Sequence, residues 1–368
     1  MIWQEPAPGG YPDRAVAGLS GQERQKAGRE GRMPNSPMSY LTELHMTEAS
    51  VGHSAFEIPA SPWFANSTGL IGGGVLAVIA DACLGSVVHG DLPPGQFMTT
   101  AELSLSFLRP VAPSPGRSIT GAGQLIHRGR TMGLSEAFLF DPGDELIGHG
   151  TSRCTVFPPL DPPPERPGDG DLPVIDQPTP GASPDDPLQR EPEGQVIPQE
   201  EFERRGGREV LQAFIDGELP PSPLHHLTGL RLTEVGGGEA AMVLPCSRWL
   251  STSAGTIQGG FTAMAAEAAM AAAAFSTAPA GTAIAPLDLK VNYLRPVFPD
   301  DHGLVARARV QHQGRTITVA NAELTNAEGK SVALATGSSM YLPGRPADLS
   351  GVEQLGSESS DPEDEPGA

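Results

Sequence analysis

The sequence is short of cysteine, and this shortage excludes two kinds of small-protein architecture. Its 368 residues include three cysteines, at 83, 154 and 246, which form no CxxC pair. Such a scattered, odd-numbered set builds neither a disulfide framework nor a zinc site, and it fits a reducing compartment. The segment before Tyr40 also lacks the apolar stretch of a signal peptide. We therefore expect a cytoplasmic protein without a bound metal.

Basic residues are also scarce. The chain has 24 Lys and Arg against 44 Asp and Glu, which gives a formal net charge of -20 at pH 7. An acidic protein of this kind repels nucleic acids and anionic membrane surfaces. We therefore expect neither as a partner, and an anionic ligand requires a locally basic pocket.

Aromatic residues make up only 5% of the chain and hydrophobic residues 38%, whereas glycine and proline number 45 and 38. This composition is lean for one continuous core in a chain of this length. It favours two compact domains that are joined by irregular segments.

An internal duplication accounts for the two domains. When the sequence is aligned with itself at a shift of 186, the stretch from Tyr40 to Val111 matches a second copy without a gap. After a single-residue gap the shift becomes 185 and the alignment continues to Pro158. Matching segments include Leu41-Thr42 with Leu227-Thr228, Trp63 with Trp249, Leu108-Arg109-Pro110-Val111 with Leu294-Arg295-Pro296-Val297, and Gly129-Arg130-Thr131 with Gly314-Arg315-Thr316.

Segments rich in proline, glycine and acidic residues separate the repeats, and such segments bury too little apolar surface to offset their ordering entropy. Met33 and Met38 precede the first segment predicted to fold, so a later translation start is an alternative. The predicted organisation is a disordered extension over 1–37, a first domain over 38–158, a linker over 159–205, a second domain over 206–345 and an acidic disordered tail over 346–368.

Each repeat contains the same order of predicted elements. Apolar runs predict long helices over 73–88 and 259–275. A strand over 100–108 alternates strictly, with Ala101, Leu103, Leu105 and Phe107 on one face, and further strands are predicted near 117–127, 131–140 and 146–157. The fold class is therefore α+β, with two tandem domains in which an antiparallel meander wraps a long central helix.

The first apolar run is long enough to be considered as a membrane span. It is rich in glycine and alanine, carries Asp81 near its middle and lacks flanking aromatic or basic anchors. We therefore favour a buried core helix.

One acidic residue interrupts each apolar helix. Asp81 is the only charged residue between Ile71 and Val88, and Glu267 holds the equivalent position in the second repeat. A carboxylate in apolar surroundings carries a large desolvation cost, and burial raises its pKa into the range of a useful base. The alternatives are a helix face that reaches solvent and a carboxylate that is bonded to neighbouring backbone. Because an acid recurs in both repeats, we favour a catalytic role.

A glycine cluster precedes each acid, comprising Gly72, Gly73 and Gly74 in the first repeat and Gly259 and Gly260 after Gln258 in the second. Glycines at a helix start expose the N–H groups of the first turn, which with the helix dipole favour developing negative charge. An oxyanion hole needs this arrangement. Tight packing of the helix against the sheet is the alternative explanation.

Taken together, these motifs resemble the PaaI-type hotdog thioesterases of the 4HBT superfamily. The resemblance covers nearly all of both repeats and implies the hotdog fold and hydrolysis of acyl-CoA or related thioesters without cofactor or metal. It rests on Asn66, Gly69, Gly72-Gly73-Gly74, Asp81, Phe107 with Pro110, and Gly129-Arg130-Thr131.

The family resemblance implies that two hotdogs pair with their sheets joined, and that the acid of one helix serves the glycine N–H of the other. A nearby amide side chain also polarises the thioester carbonyl. Carried over, one site combines Asn66, Gly73 and Glu267, and the other combines Thr252, Gly259 and Asp81. Neighbouring substrate-binding candidates are Gly72, Gly74, Gln258, Gly260 and Thr100. We also expect two chains to associate as a homo-oligomer.

The chain departs from the family pattern at several positions. Gly72 and Gln258 stand where the family has histidine, and Thr252 stands where the family asparagine is expected. The polar residue expected on the next strand is Thr100 in the first repeat but Pro286 in the second. Because it retains the asparagine, we expect the site of Asn66, Gly73 and Glu267 to be the more competent one.

Four arginines are candidates for contact with the CoA phosphates, because the guanidinium group suits phosphate geometry. An arginine beside a proline or in a hairpin turn is also often a solvated turn residue, so both interpretations stay open. The candidates are Arg109, Arg130, Arg295 and Arg315.

Two rival functions remain. A hotdog protein with an altered site can bind acyl-CoA without hydrolysing it. A hotdog hydratase or dehydratase pairs an acid with a histidine, which neither Gly72 nor Gln258 supplies.

Overall fold

A computed structural model describes residues 1–168, 172–299 and 302–350. Two long helices pack against one antiparallel sheet of twelve strands. The α-helices in these residues are α1 (Gly21–Arg29), α2 (Pro37–Thr42), α3 (Gly73–Gly90), α4 (Gln199–Arg204), α5 (Gly207–Ile215), α6 (Pro223–Thr228) and α7 (Gly259–Phe275). The strands are β1 (His45–Ser50), β2 (His53–Pro59), β3 (Met98–Phe107), β4 (Ser118–Arg128), β5 (Met132–Phe140), β6 (Leu146–Val156), β7 (Arg231–Val235), β8 (Glu239–Leu244), β9 (Thr282–Tyr293), β10 (Leu304–Gln313), β11 (Ile317–Thr325) and β12 (Ser331–Pro343).

The sheet runs through both repeats in the order β1-β2-β4-β5-β6-β3-β9-β12-β11-β10-β8-β7. Its two halves join where β3 pairs with β9, with Leu103 opposite Val291 and Leu105 opposite Leu289. The predicted α+β architecture and the pairing of two hotdogs through their sheets are thereby confirmed. Within a repeat, however, β3 pairs with β6 and not with the next strand in sequence, β4. Residues 108–117 connect β3 to β4 past β5 and β6, which lie between them in the sheet. The other edge of β3 pairs with β9 of the second repeat.

The central helices α3 and α7 lie side by side, and glycines permit their close approach. A Cβ atom on Gly260 would lie 2.5 Å from Cα of Val78, and one on Gly74 would lie 2.3 Å from Cγ of Met264. Both distances are shorter than any side chain tolerates, so larger residues would force the helices apart. The glycines therefore set the distance between the two repeats.

A β-bulge interrupts the central strand of each repeat at the same place. The register shifts between Thr100 and Glu102 in β3, and between Pro286 and Asp288 in β9. In β3 the extra residue is Ala101, so the strict alternation predicted for this strand is wrong at that position. A bulge changes the direction of the preceding side chain, and Thr100 consequently faces α3.

The N-terminal residues do not match the expectation of a disordered extension over 1–37. Helix α1 packs on the C-terminal end of α3, where a Cβ on Gly21 would lie 1.8 Å from the carbonyl oxygen of His89. Helix α5 meets α7 in the same way, with Gly207 against Phe275 at the same 1.8 Å. The shift of 186 also aligns Gly21 with Gly207 and His89 with Phe275. The duplicated unit thus includes α1 and α5, and begins before residue 38.

The predicted linker and tail also contribute to the packed structure. Ile197 and Phe202, within the predicted linker, are buried in one cluster with Ala347 and Leu349 of the predicted tail. The main-chain N–H of Leu349 donates to the carbonyl oxygen of Thr68. Composition did not predict these contacts, because the few apolar residues that become buried are spread among many polar ones. The rest of the predicted tail, from residue 351, lies outside the described residues.

The short helices α2 and α6 are exchanged between the repeats. The N–H of Met38 in α2 donates to the carbonyl oxygen of Ser251, and the N–H of Leu224 in α6 donates to that of Ala65, at 3.2 and 3.1 Å. Ser251 and Ala65 lie in the loops that lead into α7 and α3. Each repeat therefore supports the loop before the central helix of the other.

We predict that a chain starting at Met33 is less stable than the full chain. The loss of residues 1–32 removes Ile2, which is buried. It also removes the carbonyl oxygen of Glu5, which accepts from Trp249 Nε1 at 2.9 Å. Lost burial and an unpaired indole N–H should lower Tm by at least about 5 °C. Thermal unfolding measures the difference, with full-length Met33→Leu as the control for the internal methionine. An unchanged Tm would show that residues 1–32 are dispensable.

Candidate active site

Asp81 projects from α3 onto the first turn of α7. It is 7% exposed, and its carboxylate accepts hydrogen bonds from Thr100 Oγ1 at 3.0 Å and from the main-chain N–H of Gly260 at 3.2 Å. Burial raises the pKa of Asp81 from 3.8 to about 6, although the bonds from Thr100 and from the N–H groups of Gly260 and Gly259 oppose the rise.

Glu267 occupies the reciprocal position. It projects from α7 to the start of α3, where the main-chain N–H of Gly74 lowers the pKa of its carboxyl group. A Cβ on Gly73 would lie 3.3 Å from its Oε1. Burial raises the pKa of Glu267 from 4.5 to about 7. The structure thus brings each acid to the glycines of the other repeat, in the arrangement that the resemblance implied.

The surroundings of the acids and glycines distinguish between the alternative explanations for them. The Asp81 helix face does not reach solvent, and the Asp81 carboxylate is bonded to a backbone N–H group of the opposite helix. Gly74 and Gly260 provide close helix packing, whereas Gly73 and Gly259 face the carboxylates. Gly260 therefore serves the packing of the helices and also donates to Asp81, so the two explanations for the glycines do not exclude each other.

The two half-sites differ in their polar groups. Thr100 donates to Asp81, but its counterpart in the second repeat is Pro286, which has no hydroxyl group. Tyr293 Oη donates to the carbonyl oxygen of Gly259 at 2.9 Å, whereas its counterpart Phe107 places an apolar ring edge against Gly73. The Asp81 site therefore has two hydroxyl groups at positions where the Glu267 site has none.

Tyr293 was not among the site residues predicted from the sequence. Its signal was available, because it aligns with Phe107 at the shift of 186 and precedes the matching Leu-Arg-Pro segments. An aromatic pair at these positions is also consistent with ordinary core packing, and only the structure shows that the hydroxyl group contacts the glycine turn.

Gln258 and Gly72, the residues at the family histidine position, also differ. Gln258 is 5% exposed, and its Nε2 donates to the carbonyl oxygen of Val78 in α3 at 3.0 Å. Its Oε1 is buried without a partner in the described part of the chain. A Cβ atom on Gly72 would lie 3.0 Å from Cδ2 of Leu224. The histidine therefore has little room in the first repeat, and a glutamine replaces it in the second.

Asn66 and Thr252 lie in the loops that precede the central helices. Asn66 Oδ1 accepts from the N–H and the hydroxyl group of Thr68 at 2.9 and 2.8 Å. Thr252 Oγ1 accepts from the N–H of Ala254 at 3.2 Å. Both side chains thus stabilise local turns of the Asx or ST type. Their expected role at the thioester carbonyl stays a prediction.

The four candidate phosphate-binding arginines are exposed. Arg109 forms an ion pair with Glu145 at 2.7 Å, and Arg295 donates to the carbonyl oxygen of Ser331. Arg130 and Arg315 lie in the hairpin turns between β4 and β5 and between β10 and β11. These positions suit both the turn interpretation and contact with a ligand, so binding of CoA phosphates stays a prediction.

The comparisons with known proteins identify the family. The sequence profile of the thioesterase superfamily matches residues 68–147 and, a second time, residues 254–333. The chain belongs to the thioesterase superfamily. The two matches coincide with the central helix and sheet of each repeat, so this thioesterase-superfamily chain contains two tandem hotdog domains.

Over most of the chain, the fold is similar to that of a solved structure. The tesB protein of Mycobacterium avium subspecies paratuberculosis is 14% identical, with a match that covers 83% of this chain and 98% of that one at a TM-score of 0.53. The PaaI protein of Escherichia coli is 28% identical over 33% of this chain and 84% of its own, at a TM-score of 0.31. A conserved Pseudomonas aeruginosa protein is 30% identical over 32% and 92%, at 0.30. No curated protein matches the chain.

Helix α3 of this thioesterase-superfamily protein has the length and composition of a membrane span, with a mean hydropathy of 1.5. However, 72% of that stretch is buried inside the protein. Its environment is that of the core helix predicted from the sequence. Across residues 1–168, 172–299 and 302–350, no group of three His, Cys, Asp or Glu side chains could hold a metal ion.

We predict that Asp81→Asn stabilises the protein at alkaline pH. Because the folded protein binds the proton of Asp81 more tightly than the unfolded chain does, the wild type loses stability as pH rises from about 4 to about 6. The amide removes this cost, so the free energy of unfolding should increase by about 1–2 kcal/mol at pH 8 and by nothing at pH 4.

Urea denaturation at both pH values tests this effect. Glu48→Gln, at an exposed carboxylate on β1, is the matched control. Equal stability of the Asp81→Asn and wild-type proteins at pH 8 would contradict the prediction.

Proposed function

We propose that the protein hydrolyses acyl-CoA thioesters at composite sites formed by its two repeats. The observation that supports this function is the reciprocal contact of a carboxylate, buried in Asp81 and half-buried in Glu267, with the glycine-rich start of the opposite central helix. The carboxylate supplies a base, and the helix start supplies N–H donors for an oxyanion. Acyl transfer to water requires both.

The reaction at the Asp81 site can be followed through its atoms. The thioester carbonyl oxygen takes over the N–H donors at Gly259 and Gly260, while Thr100 continues to donate to the carboxylate. Asp81 accepts a proton from water as the water oxygen bonds to the carbonyl carbon. The tetrahedral intermediate then collapses, the C–S bond breaks, and the thiolate takes the proton from Asp81. A variant in which the carboxylate attacks directly gives the same products through an anhydride.

The contacts favour the Asp81 site as the hydrolytic one. Thr100 holds one carboxylate oxygen, so the other is oriented towards Gly260 and the space beside it. At the other site the ring of Phe107 lies beside Gly73, and Pro286 replaces the threonine. The sequence favoured the Glu267 site because Asn66 is retained there. Separate variants of the two acids distinguish these proposals.

We predict that Asp81→Asn lowers kcat/KM for acyl-CoA hydrolysis by at least about 100-fold, which is the usual contribution of a general base. Free-thiol release across a panel of acyl chain lengths measures the rate. Glu267→Gln tests the other site, and Glu43→Gln is the control, because burial also raises the pKa of Glu43 although it lies outside both sites.

The two acids should also differ in the pH dependence of hydrolysis. The ionised form is the base, so kcat/KM should rise with pH through about 6 if Asp81 acts and through about 7 if Glu267 acts. Acyl-CoA binding without thiol release would instead support a non-catalytic binding protein. Hydration of an enoyl-CoA would support the hydratase.

We predict that Thr100→Val moves the rise in kcat/KM to higher pH. The hydroxyl group of Thr100 lowers the pKa of Asp81, so its removal should raise that pKa. Pro286→Thr introduces a hydroxyl at the equivalent position of the other repeat and is the matched comparison. If Thr100→Val leaves the profile unchanged, Asp81 is not the base that limits the rate.

A further inference from the structure

A buried arginine lies between α1 and the C-terminal end of α3. Arg24 is 4% exposed, its Nη2 donates to the carbonyl oxygen of Gln96 at 3.0 Å, and its guanidinium group lies 5.0 Å from the ring centre of Phe97. Its Nε and Nη1 are buried and have no hydrogen-bond partner among the described residues. A buried cation with two unpaired donors is costly. Such a group calls for an acceptor.

A second arginine joins the first through Gln96. Arg128 Nη2 donates to Gln96 Oε1 at 3.0 Å, and Arg128 Nε, also without a hydrogen-bond partner, lies 3.8 Å from Asp91 Oδ2. Burial and the nearby Arg24 lower the pKa of His89 to about 4, so His89 is neutral at pH 7. We call these five residues, Arg24, His89, Asp91, Gln96 and Arg128, the Arg24 cluster. With two guanidinium groups and one carboxylate, the cluster carries one net positive charge.

The second repeat shows that the fold does not require this cluster. Val210, the counterpart of Arg24, is fully buried, and Phe275, the counterpart of His89, stacks on Phe202. An apolar interior therefore suffices to hold α5 against α7. All five members differ between the repeats, as Arg24 and Val210, His89 and Phe275, Asp91 and Thr277, Gln96 and Thr282, and Arg128 and Gln313.

We propose that the Arg24 cluster binds a carboxylate group, which accepts a hydrogen bond from one of the two unpaired Arg24 nitrogens, Nε or Nη1, and another from Nε of Arg128. A carboxylate carries one negative charge and neutralises the cluster, whereas a doubly charged phosphate would leave an excess negative charge in a buried space. Arginine is also the usual partner of a carboxylate in a buried ion pair.

The position of the cluster suggests two sources for this carboxylate. His89 follows Asp81 by eight residues on α3, which corresponds to about 12 Å along the helix. Gly85 lies between them and has no side chain that would obstruct an acyl chain. A Cβ at Gly85 would be 3.3 Å from Cε of Met98, the end of a flexible side chain. The ligand is therefore the distal carboxylate of a dicarboxylic acyl group whose thioester lies at Asp81, or a free carboxylate. Only the first source rests on the proposed function.

Thermal unfolding of the full-length protein tests for the site without any assay of activity. Sodium acetate should raise Tm by at least about 2 °C more than sodium chloride at equal ionic strength and pH 7. Arg24→Val, which introduces the residue of the second repeat, should abolish this difference. Arg29→Val, at an exposed arginine of the same helix, should retain it. If the valine variant does not fold, Arg24→Gln provides the same comparison.

Hydrolysis of two substrates of equal chain length distinguishes the sources. If the ligand is part of the acyl group, Arg24→Val should lower kcat/KM for a dicarboxylic acyl-CoA at least tenfold relative to the monocarboxylic one. If only the acetate effect is lost, the site binds a free carboxylate. The proposal is overturned if acetate acts no differently from chloride and the substrate ratio is unchanged. A protein without hydrolytic activity leaves the acetate test intact, so the two proposals can fail separately.

Discussion

The reciprocal contact between the two central helices is the constraint on which the rest of the structure depends. Each helix presents a carboxylate to the glycine-rich start of the other, and the contact forms only where the helix backbones nearly touch. Gly74 and Gly260 permit this approach, and the pairing of β3 with β9 sets the alignment of the two halves. Because acid and N–H donors come from different repeats, neither repeat contains a complete site.

The acids and glycines of this arrangement could be identified in the sequence because their signals are local or periodic, whereas the pairing of each acid with the other repeat was implied by the family resemblance. A single acid in an apolar run, a glycine cluster before it and the recurrence of both in the second repeat are visible without coordinates. The bulge at Ala101 and the hydroxyl contact of Tyr293 were not predictable, since they depend on strand register and on how a side chain meets a backbone carbonyl.

The N-terminal segment illustrates a different limit. Its polar composition indicated disorder, yet Ser20 and Glu23 form a capping box at the start of α1. The spacing of these two residues was a helix signal that the composition outweighed. At the start of α5, the carboxylate of Glu209 likewise accepts from the main-chain N–H of the N-cap residue, Gly206, at 3.0 Å. Comparing cap positions, and not composition, would have extended the duplication to these helices.

Pairing of the repeats through β3 and β9 also has a thermodynamic consequence. In a dimer of separate hotdogs, complete sites disappear when the subunits dissociate at low protein concentration. Here both halves belong to one chain, so the second half is always present at a high effective concentration. The composite sites should therefore survive dilution, and a mutation can alter one site while its counterpart keeps the original residue.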